Sequence, residues 1–354
     1  MAKVVVAMSG GVDSAVAAAL LVQQGHQVTG VMLHLWSEAG REDENKCCTP
    51  ESAGEARREA EKMGFPFYVV EASEPFRRAV VQYFLDEYAR GATPNPCIVC
   101  NPTIKWGLLL DKLKNFNADY IATGHYARLR PLLDGKIALL RALDELKDQS
   151  YMLHRLTQAQ LAQTFFPLGE LHKPQVREIA RSLDLSVAAR EESQDLCFVA
   201  DRDYRDFLVK YIPTAVHPGD IVNEAGKVLG KHQGLAFYTI GQRKGIRIAA
   251  PQPYYVLDKD IPNNVLIVGT QDRLGCTELD AVSVNWIGGS PPESPCRALV
   301  KIRYKADFVE GMVTPLGIDS AHVRFEQPMR DISPGQAVVF YDGESVLGGG
   351  FIKI

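Results

Sequence analysis

A chain of 354 residues, 46% apolar and 23% charged, is too long for one ordinary core and is predicted to form two or three domains. Its net charge of −4 gives no general support for a nucleic-acid footprint, so any such surface must be local. No apolar run approaches a membrane span, and no signal peptide precedes the first apolar run. Seven cysteines, an odd number, do not suit a secreted disulfide scaffold; the expectation is a cytoplasmic protein whose thiols are buried, catalytic or metal-bound.

The first element is Val4–Met8, a β-branched run that reads as a buried parallel strand. Ser9-Gly10-Gly11-Val12-Asp13-Ser14 follows it. Two successive glycines turn the backbone at little steric cost, and Asp13 or Ser14 can cap a helix through Ala15–Gln24. A ring of backbone N–H groups at a helix start, bracketed by hydroxyls, suits a phosphate or pyrophosphate. No lysine stands where a Walker loop needs one, and the G-x-G-x-x-G spacing is absent. An ordinary glycine turn between strand and helix is the plain alternative. SGGVDS resembles the pyrophosphate loop of the N-type ATP pyrophosphatases, which split ATP into AMP and pyrophosphate while adenylating a carbonyl oxygen.

Strands are then predicted at Val28–Leu35, Phe67–Val70 and Tyr120–Gly124, with helices at Pro50–Met63, Pro75–Arg90 and Thr103–Phe116. The alternation implies an α/β doubly wound parallel sheet whose ligands lie at the carboxyl ends of the strands. Tyr151–Leu156, Gln158–Phe165, Lys173–Leu183 and Tyr204–Tyr211 carry helical spacing. Beyond Pro213 come short β-branched or aromatic runs: Gly219–Val222, Ala236–Ile240, Tyr254–Leu257, Val265–Val268, Ala281–Trp286, Ala298–Arg303, His322–Phe325, Ala337–Tyr341 and Val346–Ile352. They suggest a small β-rich central domain and a C-terminal β-barrel, dividing the chain at 1–204, 205–274 and 275–354.

Gly91–Asn101 (GATPNPCIVCN) has two prolines that stop the preceding helix and hold an extended turn, placing Cys97 and Cys100 on a rigid loop. A C-x-x-C pair can be a redox dithiol, half of a metal site, or a nucleophile with a neighbour. A four-thiolate zinc site would need a second pair; Cys47-Cys48 are adjacent, which is poor chelating geometry. Cys197, in Glu192–Val199, stands beside Leu, Phe and Val, where a cysteine is commonly a small buried hydrophobe, yet polar residues precede it. Local basic groups are Arg57-Arg58 with Lys62, Arg77-Arg78, Arg243-Lys244 with Arg247, and Lys301, Arg303 and Lys305; each alone is more often a solvated face than a binding patch.

SGGVDS, TPNPCIVCN, ATGHYAR, KDQSYML, SQDLCF, FYTIGQRKG and KIRYK, in this order along the chain, resemble the tRNA-specific 2-thiouridylase family (MnmA/TrmU). The resemblance implies ATP-dependent replacement of the C2 oxygen of the wobble uridine by sulfur in tRNAs for Lys, Glu and Gln. It implies that Ala7, Met8, Ser9, Gly10, Gly11, Val12, Asp13 and Ser14 hold ATP, that Leu33 contacts the adenine, and that Gly124 completes the pocket. Asn95, Pro96 and Cys97 would touch the target base. Cys100 would be the nucleophile and Cys197 the carrier of the persulfide. His125, Lys147, Asp148, Gln149, Arg303, Tyr304 and Gln336 stand where tRNA contacts are expected. Some members have Asp in place of Cys97, and a thiol, with an unperturbed pKa near ~8.5, does that acid/base work only if its pKa is tuned.

The implied chemistry requires these parts together. Attack of the C2 oxygen on the α-phosphate, with pyrophosphate leaving and Mg²⁺ screening charge, adenylates the base. Asp13 is the candidate Mg²⁺ ligand. A persulfide on Cys197, charged by a cysteine desulfurase or a sulfur-relay protein, attacks C2, and Cys100 cleaves the S–S bond, leaving a Cys100–Cys197 disulfide and AMP. The segment bearing Cys197 is expected to move between states. Two other readings compete: an amide-forming ligase on the same loop, which needs no paired thiols, and a metal-scaffolded RNA-binding protein built on C-x-x-C.

Overall fold

In the computed structural model, which describes residues 1–38, 40, 49–190, 196–199 and 203–353, the first apolar run forms β1 (Lys3–Ala7), and its three valines have no exposed surface. Such a strand is buried on both faces, and the chain supplies helices for each. β2 (Gln27–His34), β3 (Phe67–Glu71) and β4 (Tyr120–Thr123) follow, then a hairpin of β5 (Arg128–Pro131) and β6 (Ile137–Leu140), then the short β7 (Thr164–Phe165). Strands β1 to β4 and β7 form a parallel sheet in the order β3-β2-β1-β4-β7. The order reverses between β1 and β4, so the crevice beyond their carboxyl ends is where a ligand is expected.

Helices α1 (Val12–Gln23) and α2 (Pro50–Met63) flank this crevice. A longer helix spans 73–89, with a π-helical middle at Arg77–Val81, and another begins at Pro96–Cys100 and continues through Asn101–Leu108. The central unit is a four-stranded sheet of β8 (Gly219–Asn223), β9 (Val228–His232), β10 (Tyr255–Asp260) and β11 (Val265–Gly269) in the order β10-β11-β8-β9. The last unit comprises β12 (Cys276–Trp286), β13 (Cys296–Lys301), β14 (Val309–Pro315), β15 (Ser320–Met329), β16 (Ala337–Asp342) and β17 (Ser345–Lys353). Their order is β12-β15-β14-β13-β16-β17, and β12 pairs back with β17, which closes the barrel expected from the sequence. Hairpin β5–β6 of the first unit joins the barrel sheet where Leu140 pairs with Ser345.

Four local expectations are corrected. Helix α1 starts at Val12 with Gly11 at its N-cap, so Asp13 and Ser14 lie inside the first turn instead of capping it. Cys97 and Cys100 sit on a helix, not on an extended loop: Pro96 occupies the first helical position, where a missing N–H costs nothing, and Asn95 caps it through the Cys97 N–H at 3.2 Å. Helix Gln158–Ala162 ends early and the chain straightens into β7. Ala236–Ile240 is not a strand; Leu235–Phe237 is a buried 3₁₀ turn, an ambiguity inherent in short apolar runs. Among the described residues no helix is long and apolar enough to cross a membrane.

Candidate active site

The SGGVDS turn leaves β1 at the switch point. Gly10 has φ +71°, and a Cβ there would lie 2.7 Å from the Ser52 carbonyl oxygen, so the turn needs glycine both for its backbone and for its approach to α2. Ser14 Oγ donates to the Gly11 carbonyl at 3.0 Å and accepts the Ser9 N–H at 3.2 Å, which ties the turn to the first turn of α1. Gly124, just past β4, comes so close that a Cβ would sit 2.7 Å from the Asp13 carbonyl carbon and 2.8 Å from the Ser14 nitrogen. Met8 N–H donates to Val31 at 2.8 Å, and Leu33 lies two residues further along β2, at the same sheet edge. Ala7, Met8, Val12, Leu33 and Gly124 therefore gather around the turn.

Two cations not singled out in the sequence hold this turn. Lys173, 7% exposed, places Nζ 2.7 and 2.8 Å from the two Asp13 oxygens, and the Tyr126 hydroxyl donates to Asp13 at 2.7 Å. Arg190 donates to the Gly10 carbonyl at 2.9 Å and to Ser52 Oγ at 3.1 Å, and pairs with Glu55. Asp13, so engaged, does not fit the role of a ready Mg²⁺ ligand, and no cluster of three or more His, Cys, Asp or Glu able to hold a metal occurs among the described residues.

The cysteine segments share one support. The Pro96–Cys100 helix packs against the Arg77–Val81 turn of helix 73–89, and Cys100 is buried while Cys97 is exposed. Met152 steadies it: its carbonyl accepts from Asn101 Nδ2 at 2.9 Å, and its sulfur lies 3.5 Å from Asn95 Nδ2. Phe198, next to the half-buried Cys197, sets its ring 5.8 Å from Phe76 and 5.2 Å from Phe84 of the same helix, and 5.6 Å from Phe207. Met8, Cys100 and Phe198 belong to one continuous apolar core against which Cys197 packs. Cys47, Cys48 and the stretch 191–195 lie outside the described residues.

The remaining candidates fall in two places. His125 Nδ1 lies 2.8 Å from Thr123 Oγ1 and Nε2 3.4 Å from Lys105 Nζ; because an ammonium only donates, Nδ1 carries the proton. Desolvation, and then Lys105, hold its pKa well below the ordinary value, so the ring is neutral. Gln149 clasps Tyr126 through side chain and backbone at 3.0 and 2.8 Å, and Lys147 is half-buried. Asp148 is buried and accepts from Ala142 N–H at 2.9 Å and from Ser150 N–H and hydroxyl at 3.2 and 2.8 Å, so it shapes the loop. Arg303 donates to the Ile240 carbonyl at 3.2 Å and Ser333 Oγ at 2.6 Å, and Gln336 donates to the Thr93 carbonyl at 2.6 Å. With Thr93, Thr239, Gln242 and Asp331 they line a cavity of about 360 Å³ where the three units meet. The Tyr304 ring lies tilted beside that of Tyr151, centroids 6.1 Å apart, and Arg243, Lys244 and Arg247 are exposed. Arg57 and Arg77 are engaged locally, over the Phe67 ring and with Glu74 respectively.

Family models match along the chain: the tRNA methyl transferase HUP domain over residues 2–201, the tRNA methyl transferase PRC-barrel domain over 205–270, and the aminomethyltransferase β-barrel domain over 276–352. With its parallel sheet and switch-point glycine turn, the N-terminal unit is a HUP domain, followed by two β units. A protein of Roseiflexus castenholzii named tRNA-specific 2-thiouridylase MnmA is 49% identical over 368 residues, covering 99% of each chain. Namesakes from Magnetococcus marinus and Symbiobacterium thermophilum are 47% and 46% identical, covering 99% of this chain and 98% and 92% of theirs. The chain belongs to the tRNA-specific 2-thiouridylase (MnmA) family.

Proposed function

We propose that this protein thiolates C2 of the wobble uridine of tRNAs for Lys, Glu and Gln in the cytoplasm, using ATP and a persulfide. ATP occupies the crevice between β1 and β4, its phosphates against the SGGVDS amides and its adenine toward Leu33; Mg²⁺ comes with the phosphates and screens their charge. The C2 oxygen attacks the α-phosphate and pyrophosphate leaves, so the poor urea-like electrophile gains a leaving group. The terminal sulfur of a Cys197 persulfide attacks C2 and AMP departs. Cys100 then attacks the Cys197 sulfur, which leaves sulfur on C2 and a Cys100–Cys197 disulfide that an external thiol must reduce before the next turnover.

The observation that carries this reading is the shared support of Cys100 and the Cys197 segment on helix 73–89, in one core with Met8, the residue before the glycine turn. An amide-forming ligase has no use for that convergence. A wobble base lies in a loop, where leaving the stack is cheap, and Asn95 to Cys97 and the exposed Arg243-Lys244 are suited to meet base and phosphates. The test is mass spectrometry of tRNA nucleosides after incubation with ATP, Mg²⁺ and a persulfide donor. 2-Thiouridine should appear with the wild type and be absent with Cys100→Ala and Cys197→Ala. Retained ATP turnover on another carbonyl substrate by both variants would favour the ligase. Stoichiometric zinc or iron with no pyrophosphate release would favour the RNA-binding scaffold.

A further inference from the structure

We propose that Lys259 of the central unit is a positioning residue for the cysteine helix, holding the link 91–94 that sets where Asn95, Cys97 and Cys100 stand. The inference rests on the functional reading above and adds a residue, on β10, that the reading does not use. Helix 73–89 ends in a left-handed turn at Gly91, φ +83°, whose N–H donates to the Tyr88 carbonyl at 3.0 Å. Lys259 Nζ donates to the Gly91 carbonyl at 2.5 Å. Ile261 fills the space beside it, for a Cβ on Gly91 would lie 2.2 Å from Ile261 Cδ1. Burial pushes the Lys259 pKa down to about 8, with Asp258 opposing the shift. At neutral pH the group still donates as an ammonium, drawn out of water to reach that carbonyl, and such charge-assisted bonds are the strong ones.

The barrel holds the same link. Thr93 N–H donates to the Pro334 carbonyl at 2.9 Å, and Gln336 donates to the Thr93 carbonyl at 2.6 Å. The hydroxyls of Thr93 and Thr239 lie 3.2 Å apart, and a Cβ on Gly335 would sit 2.9 Å from the Ala92 Cβ. Beyond Thr93 the chain is stiff. Pro94 and Pro96 fix their own φ and bias Thr93 and Asn95 to extended backbone, which Asn95 adopts at φ −113°, ψ 98°. Asn95 then caps the cysteine helix through the Cys97 N–H. A shift of the Gly91 carbonyl is therefore carried to the cap instead of being absorbed on the way. The link also joins two supports: helix 73–89, on which Phe198 beside Cys197 rests, and the helix that carries Cys100. Lys259 thus bears on how the two thiols stand relative to each other.

The experiment uses the full-length protein with Lys259→Met, which keeps the apolar stem and removes the donor. Cys100 is buried and Cys276, on the barrel, is exposed. Iodoacetamide alkylation of both is followed by peptide mass spectrometry, and 2-thiouridine formation gives kcat and the KM for ATP. Cys100 should react about ten-fold faster or more, the opening that loss of a charge-assisted hydrogen bond permits, and Cys276 at the wild-type rate. kcat should fall about ten-fold or more, because misplaced reacting groups lose rate steeply, while the KM for ATP stays within about two-fold. A lysine that merely fastens the central unit would lower the melting temperature and leave Cys100 protection and kcat, both read well below it, as they were. Should Lys259→Met not fold, Thr239→Val takes its place; it removes the hydroxyl facing Thr93 at nearly unchanged volume, and smaller changes in the same directions are expected. Wild-type Cys100 protection and kcat in the variant, or a KM for ATP raised as much as kcat falls, overturns the inference. Absence of 2-thiouridine in the wild type would overturn the functional reading instead. The alkylation rates would still report on the placement of Cys100, so the two failures are distinct.

Discussion

Gly124 shows what a single residue decides here. The Cβ of an alanine would meet backbone atoms of Asp13 and Ser14 at 2.7 and 2.8 Å, and backbone cannot swing away as a side chain can. Overpacking of this kind costs about 1–3 kcal/mol, and the relief available is to part β4 from the start of α1. Gly124→Ala is expected to lower the melting temperature modestly and to raise KM for ATP, with a smaller effect on kcat; an unchanged KM would show that the gap plays no part in holding nucleotide. The glycine turn was legible because its signal is local: paired glycines, bracketing hydroxyls and a preceding apolar run. Lys173 and Arg190 were not, since each is an unremarked charge whose partner, Asp13 or Gly10, stands 160 or 180 residues away. Asp148 was legible as part of a motif, but its burial beneath Ser150 was not.

Among the elements, helix 73–89 has the largest consequence because it supports both cysteine segments. Phe198 is 4% exposed and meets three rings, so Phe198→Ala should cost about 3–5 kcal/mol if the site does not collapse. Its sharper effect is on geometry: the Cys197 segment loses its anchor while the glycine turn keeps its own. Thiolation should therefore fall far more than ATP binding by equilibrium titration, and a parallel loss of both would show only general unfolding. The largely buried strands β1, β2 and β4 announced themselves as apolar runs, and the edge strand β3, with Tyr68 and Val69 exposed, was legible from its aromatic and β-branched residues. Hairpin β5–β6 was missed because Arg128, Arg130 and Pro131 hide its strand character, and β9 and β14 because glycine and exposed polar residues interrupt them. The helix at Pro96 was misread because proline ends one helix and begins another equally well, and only the Asn95 cap distinguishes the two.

At the scale of the whole molecule, the N-terminal unit and the barrel are locked at His154. Its backbone carbonyl accepts from Asn285 of β12 at 2.8 Å, and its ring carbons face Gly349 of β17 so closely that a Cβ there would lie 2.8 Å away. Nδ1 donates to the Tyr151 carbonyl at 2.7 Å, while Nε2 is buried with no hydrogen-bond partner among the described residues. Burial, partly offset by that bond to Tyr151, pushes the pKa down to about 3. The unfolded chain titrates this group near ~6.5, so below that pH the unfolded state binds the extra proton. Stability is then fully present above pH ~6.5 and lost as pH falls toward the folded value, at about 1.4 kcal/mol per unit for one proton. His125 is shifted in the same direction and adds to the slope. Between pH 6.5 and 5, His154 alone should remove about 2 kcal/mol, readable as a falling urea midpoint. His154→Asn keeps a donor for the Tyr151 carbonyl but carries no titrating ring. It should be less stable than the wild type at pH 7.5 and lose about one proton's worth of acid slope. An unchanged slope in the variant would mean that the joint between the two units is not where the acid acts.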